Sequence, residues 1–146
     1  MSRKNAREDS FKLVFEALIN KSEPDEKIAD YIEKVMTGEM EEEPLFINKP
    51  VKDDNEYVKK VFIGVCEKSD ELDEIIKANL RGWELSRVSK ISLAAVRLAL
   101  YEIIYLEDIP ASVAINEAVE LAKKYDGVEA ASFVNGILGT YVKGVE

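Results

Sequence analysis

The sequence predicts an all-α fold: a compact bundle of about seven helices, in two halves of three to four helices each. Three observations predict it. Apolar residues recur three and four positions apart through most of the chain, the period of a helix with one buried face. No stretch alternates apolar and polar residues as a half-buried strand does. Residues 90–106 are apolar nearly all round, with Ile91, Leu93, Ala94, Ala95, Val96, Leu98, Ala99, Leu100, Ile103 and Ile104. Such a helix must be surrounded by others, so it is expected at the centre.

Each element follows in order. Phe11, Val14, Phe15 and Leu18 mark a first helix from about Asn5 to Asn20. Ser22 to Asp25 supplies a cap candidate, an early proline and first-turn acids for a second helix, with Ile28, Tyr31, Ile32 and Val35 inward. Residues 37–52 break the pattern with Gly38, Glu41-Glu42-Glu43, Pro44 and Pro50, and read as an exposed acidic loop. A third helix carries Tyr57, Val58, Val61, Phe62 and Val65. Ser69 or Asp70 is expected to cap a fourth, with Leu72, Ile75 and Ile76 inward and Gly82 as its stop. Trp83 to Val88 is short and irregular. After the helix over 90–106, Asp108-Ile109-Pro110 starts a sixth, with Ala111, Ala114, Ile115, Ala118, Leu121, Ala122 and Tyr125 in one stripe. Asp126-Gly127 is a turn, and a seventh helix runs from about Glu129 to Val142. The 146 residues suit one domain, with an N-terminal half over 1–68 and a C-terminal half over 69–146.

Composition narrows the function. At 47% hydrophobic the chain has a core, and no apolar run approaches the ~20 residues of a membrane span. No apolar signal segment follows the N-terminus, and the single cysteine, Cys66, excludes an internal disulfide. A cytoplasmic protein is expected. Histidine is absent, which removes Ser-His-Asp and Cys-His systems and the usual zinc ligand sets. No P-loop, GxGxxG or HExxH sequence occurs. The expectation is a protein that is not an enzyme and takes no cofactor and no metal.

The net charge of -9 argues against nucleic acid, but its distribution matters more than its sum. Arg3, Lys4, Arg7 and Lys12 outnumber Glu8 and Asp9 at the N-terminus. On a helix Arg3 and Arg7 lie one turn apart with Lys4 beside them, a small cationic face suited to phosphates. Cations at a helix start oppose the macrodipole, so their presence suggests a use other than stability. The plain alternative is an ordinary charged terminus. Phe133, next to the inward Val134 and close to Asn135, is a candidate for stacking and hydrogen bonding to bases; the alternative is packing on a neighbouring helix. Gly136 and Gly139 inside a helix are best explained by close packing. Arg97 and Glu102 on the apolar helix need partners, with Asn116, Glu117 and Glu120 the candidates.

Three stretches then carry a resemblance. Ile91 to Glu102 (ISLAAVRLALYE), Asp108 to Lys123 (DIPASVAINEAVELAK) and Ser132 to Leu138 (SFVNGIL) resemble, in order, motifs of the NusB family, and Arg3 to Glu8 (RKNARE) resembles its N-terminus. The likeness spans essentially the whole chain and is weakest from about residue 20 to 70. The resemblance implies a two-part helical fold and a factor that binds boxA-type leader RNA with NusE, a small-subunit ribosomal protein. It implies RNA contacts at Arg3, Lys4, Arg7 and Phe133, joined by Asn135, and a NusE contact at Glu129. It places the assembly on RNA polymerase in antitermination and leaves a homodimer open. A family tyrosine falls at Phe15, arginines at Lys4 and Asn5, and an acidic residue at Ser92. RNA affinity is therefore expected to depend on NusE. The alternative is a ribosomal-RNA-processing or structural helical module, akin to the domain that precedes certain ribosomal-RNA cytosine methyltransferases. That enzyme needs a long cofactor-binding extension, and a sequence ending at Glu146 leads us to expect the binding factor.

Overall fold

A computed structural model describes residues 3–19, 55–80 and 84–145, with the side chains of residues 3–5 and 55 outside the description. Six α-helices lie among the described residues: α1 (Arg3–Ile19), α2 (Asn55–Glu67), α3 (Ser69–Asn79), α4 (Lys90–Tyr105), α5 (Ala111–Asp126) and α6 (Val128–Val145). A short 3-10 turn, Leu85–Arg87, precedes α4. No described residue is in a strand, as the all-α expectation requires. The helix expected over Ser22 to Val35, the acidic loop over 37–52 and the stop at Gly82 lie outside the described residues. The chain divides into two compact units, residues 1–66 and 67–146.

In the first unit, α1 buries Ala6, Phe11, Leu13 and Val14, and α2 buries Val58, Val61, Phe62 and Val65. The stripe on α2 is the one its sequence period marks. On α1 the apolar stripe is not the whole account: Arg7, Glu8, Asp9, Ser10 and Lys12 are buried too. Ser10 turns its hydroxyl inward along the helix, donating to the Ala6 carbonyl at 2.9 Å.

In the second unit, α4 meets α3, α5 and α6, which is why nearly every side of it is apolar. Its residues from Ser92 to Val96 and from Leu98 to Glu102 are buried. Ser89 caps it, accepting from the Ser92 N–H at 3.1 Å. The same hydroxyl donates to the Asp126 carboxylate at 2.8 Å, tying the start of α4 to the end of α5. Between α5 and α6 a single residue turns the chain. Gly127 adopts φ 100°, a conformation that disfavours any Cβ, and its N–H donates to the carbonyls of Ala122 and Lys123. The short link makes α5 and α6 neighbours. Neither Ser69 nor Asp70 caps α3: both lie inside it, Lys68 holds the cap position, and no side chain bonds there. Asp70 and Glu71 instead act through charge in its first turn.

Arg97 on α4 finds a partner different from those expected. Arg97 reaches α3, where Nε and Nη2 donate to the two carboxylate oxygens of Asp73 at 2.8 and 2.6 Å. Asn116, Glu117 and Glu120 on α5 are not the Arg97 partners; a planar fork takes the carboxylate that offers both oxygens in its own plane. Glu102 is fully buried and is not without a partner. Near the other end of α4, the Tyr105 hydroxyl donates to Glu71 and Lys68 stands over the Tyr105 ring, 5.5 Å from its centroid. The bond to Glu71 raises the Tyr105 pKa, and burial with the charge of Glu67 raises that of Tyr101. Both phenols therefore stay protonated as donors at neutral pH.

Candidate nucleic-acid interface

Arg3 and Lys4 form the opening of α1 by their backbone, and their side chains lie outside the described residues. Arg7 is described and differs from the exposed cation expected. It is only 4% exposed and is already engaged, with Glu8, Asp9 and Lys12 buried near it in sequence. A guanidinium withdrawn from water must hold a partner, so Arg7 serves the interior before it serves a ligand. Helical spacing puts Arg7 one turn after Arg3 along α1 but could not show that Arg7 is covered.

Phe133 sits half-buried in the second turn of α6, and two grooves meet at its ring. One, of about 300 Å³, is lined by Arg87, Val88, Ser89, Ser92, Asp126, Glu129, Ala130 and Phe133. The other, of about 260 Å³, runs between the end of α3 and the middle of α6, over Asn79, Leu80, Ser132, Gly136, Ile137 and Thr140. Phe133 is the residue common to both. Helix geometry explains the first juxtaposition. Glu129 and Phe133 are one turn apart and share a face, and the Gly127 turn sets that face against the Ser89–Asp126 bond at the start of α4.

Asn135 is exposed but lines neither groove. Two residues along a helix is more than half a turn, so Asn135 does not share the face of Phe133. Glu129, expected toward a protein partner, stands beside Phe133. Sequence inspection missed Arg87, which the 3-10 turn delivers to the same groove; the available signal was a cation two residues before a serine N-cap.

The glycines also depart from expectation. A Cβ at Gly136 or at Gly139 would meet nothing within 4 Å among the described residues, so close packing against a described helix does not account for either. Each still costs the helix about 1 kcal/mol relative to alanine.

The first groove is mixed in charge, with the Arg87 guanidinium against the carboxylates of Asp126 and Glu129. Among the described residues that line the second, none is charged. Together they offer an aromatic face, hydroxyls, an amide, one strong donor and carboxylate acceptors. That chemistry fits bases and ribose. Among the described residues no group of three or more His, Cys, Asp or Glu could hold a metal ion. No described helix is long and apolar enough to cross a membrane.

Comparison with known proteins points the same way. The sequence profile of the NusB family matches residues 4–143. The chain is 43% identical to the transcription antitermination protein NusB of Ruminiclostridium cellulolyticum over 99% of this chain and 90% of that one. It is 40% identical to the protein of that name from Clostridium novyi, over 98% and 99%. Among solved structures, NusB of T. maritima superposes with a TM-score of 0.80 at 29% identity, covering 98% of this chain and 92% of the other. A chain from a crystal structure of the antitermination factors NusB and NusE with double-stranded RNA superposes with a TM-score of 0.80 at 27% identity, covering 97% and 96%.

Proposed function

We propose that this chain, which belongs to the NusB family, is an RNA-binding transcription antitermination factor. With NusE it binds boxA-type leader RNA, joins the antitermination complex on RNA polymerase and supports ribosomal RNA transcription in the cytoplasm. The observation that carries the reading is Phe133: an aromatic ring at the junction of two grooves, within a chain matched to the family over residues 4–143. The relative solved with NusE and RNA supports the choice of partners.

The mechanism is binding without chemistry. Arg3 and Lys4 at the start of α1 supply phosphate contacts, and Arg7 contributes only as its internal engagement is exchanged for RNA. The Phe133 ring stacks on a base. Arg87 donates to the RNA, and Glu129 and Asp126 accept from exocyclic amino groups. A NusE contact at Glu129 would border the RNA, which gives the two ligands a route to mutual support. Asn135, on another face of α6, reaches RNA only away from the stacked base.

Titrating labelled boxA-type RNA with the chain alone and with NusE, across a range of salt, tests this. Tighter binding with NusE is expected; equal affinity in the two titrations would remove the cooperativity, and no binding in either would remove the function. Replacing Arg3 and Lys4 together with alanine should lower the salt slope by about 2, about 1 for each phosphate contact, at unchanged helical circular dichroism. A slope equal to that of the parent chain takes both residues out of the interface.

A further inference from the structure

We infer that the groove over Gly136 receives the sugar–phosphate of the nucleotide next to the base stacked on Phe133, so that the RNA crosses α6 with the ring between two nucleotides. The inference rests on the RNA function proposed above and adds which groove takes the backbone. Three observations lead to it.

Gly136 stands exposed in the middle of α6, at a position where glycine weakens a helix. A side chain there would meet nothing within 4 Å among the described residues, so the fold does not require its absence. What a side chain would do is fill the groove between α3 and α6. A bare stretch of helix is useful to a ligand whose backbone comes close.

Charge then separates the two grooves. The one with Arg87 also holds Asp126 and Glu129, which repel a phosphate but accept from the amino groups of bases. Among the described residues, the one over Gly136 is lined by Asn79, Leu80, Ser132, Phe133, Ile137 and Thr140, with no carboxylate. In a chain of net charge -9, a polyanion's backbone meets less repulsion from that lining than from the one with Asp126 and Glu129.

The polar atoms of that groove suit ribose and phosphate. Thr140 donates to the Gly136 carbonyl at 2.9 Å, which settles its hydroxyl against the helix and away from competition for the ligand. Asn79 is anchored through Nδ2 to the Ile75 carbonyl at 2.8 Å, leaving its side-chain oxygen as an acceptor for a 2′-hydroxyl. The Ser132 hydroxyl, on the exposed side, serves as a donor to phosphate.

The test is Gly136→Leu, which fills the groove, beside Gly136→Ala, which adds one methyl. Both are measured for melting temperature, for boxA-type RNA binding in the presence of NusE, and for NusE capture without RNA. We expect the melting temperature unchanged or raised by a few degrees, RNA affinity lowered about ten-fold or more by leucine and less by alanine, and NusE capture unchanged. If Gly136→Leu binds RNA like the parent chain while Phe133→Ala does not, the groove assignment fails and the RNA function stands. If Gly136→Leu and Phe133→Ala both bind like an RNA-binding parent chain, the stacking site at Phe133 fails along with the groove; the RNA function itself fails if the parent chain binds no RNA with NusE. A fall in melting temperature for the alanine variant would make the glycine a folding requirement and overturn the inference. So would loss of NusE capture by the leucine variant, which would make the groove a protein contact.

Discussion

Phe133→Ala is expected to weaken binding of boxA-type RNA by about 5- to 150-fold, the span set by about 1–3 kcal/mol for a base stacked on an aromatic side chain. The half-buried position of the residue argues for the middle of that range: a side chain already partly packed loses little entropy when a base arrives. The salt slope should stay the same, because no phosphate contact is removed. That separates this variant from the Arg3 and Lys4 replacements, which change slope. Phe133→Tyr and Phe133→Trp should retain most of the affinity. Fluorescence anisotropy across salt, with thermal melts to show that α6 remains folded, checks all three. An alanine variant that binds as tightly as the parent chain would leave the junction of the two grooves without a function.

Arg97→Ala is expected to destabilise the second unit by about 2–3 kcal/mol, and to lower the melting temperature by roughly 6–10 °C. Arg97 and Asp73 are paired in both oxygens and both are mostly withdrawn from solvent, with side-chain exposures of 14% and 20%. Loss of the guanidinium removes two charge-assisted bonds and leaves the Asp73 carboxylate half-desolvated without its partner. Asp73→Ala should do similar damage. The double replacement should cost clearly less than the sum, because no charge is then left unpaired. Arg97→Lys keeps the charge but not the fork and should fall between. Calorimetric melts of the four proteins check this. Additive losses across the cycle would mean that the pair is not coupled. RNA affinity measured below the melting range should be unaffected, since neither residue lines a groove.

Much of the fold was legible from local pattern. Val58, Val61, Phe62 and Val65 face inward as their spacing requires, and the all-round apolar stretch around Leu98 proved to be the helix that meets three others. Gly127 turns the chain where the sequence places a turn, because its effect spans only a few bonds. Caps were less legible: Ser89, which sequence inspection did not single out, caps α4, while Ser69 and Asp70 lie inside α3. The position of Phe133 on one face with Glu129 also follows from 100° per residue, as does the failure of Asn135 to join them. The candidate site was less legible. The partner of Arg97 lies 24 residues away on another helix, and several carboxylates were equally plausible from spacing alone.

By itself, then, the order of residues determined the class of fold, the apolar stripes of the described helices, the turn at Gly127 and the family to which the chain belongs. Those properties come from interactions within a turn or two of helix, where the chain's own geometry sets who meets whom. Tertiary structure alone decided that Arg7 is covered, that Arg97 takes Asp73, that Arg87 and Glu129 share a groove with Phe133, and that Gly136 faces open space rather than a helix. Burial and grooves are properties of surfaces brought together from distant parts of the chain, and a one-dimensional pattern holds no term for the element on the other side.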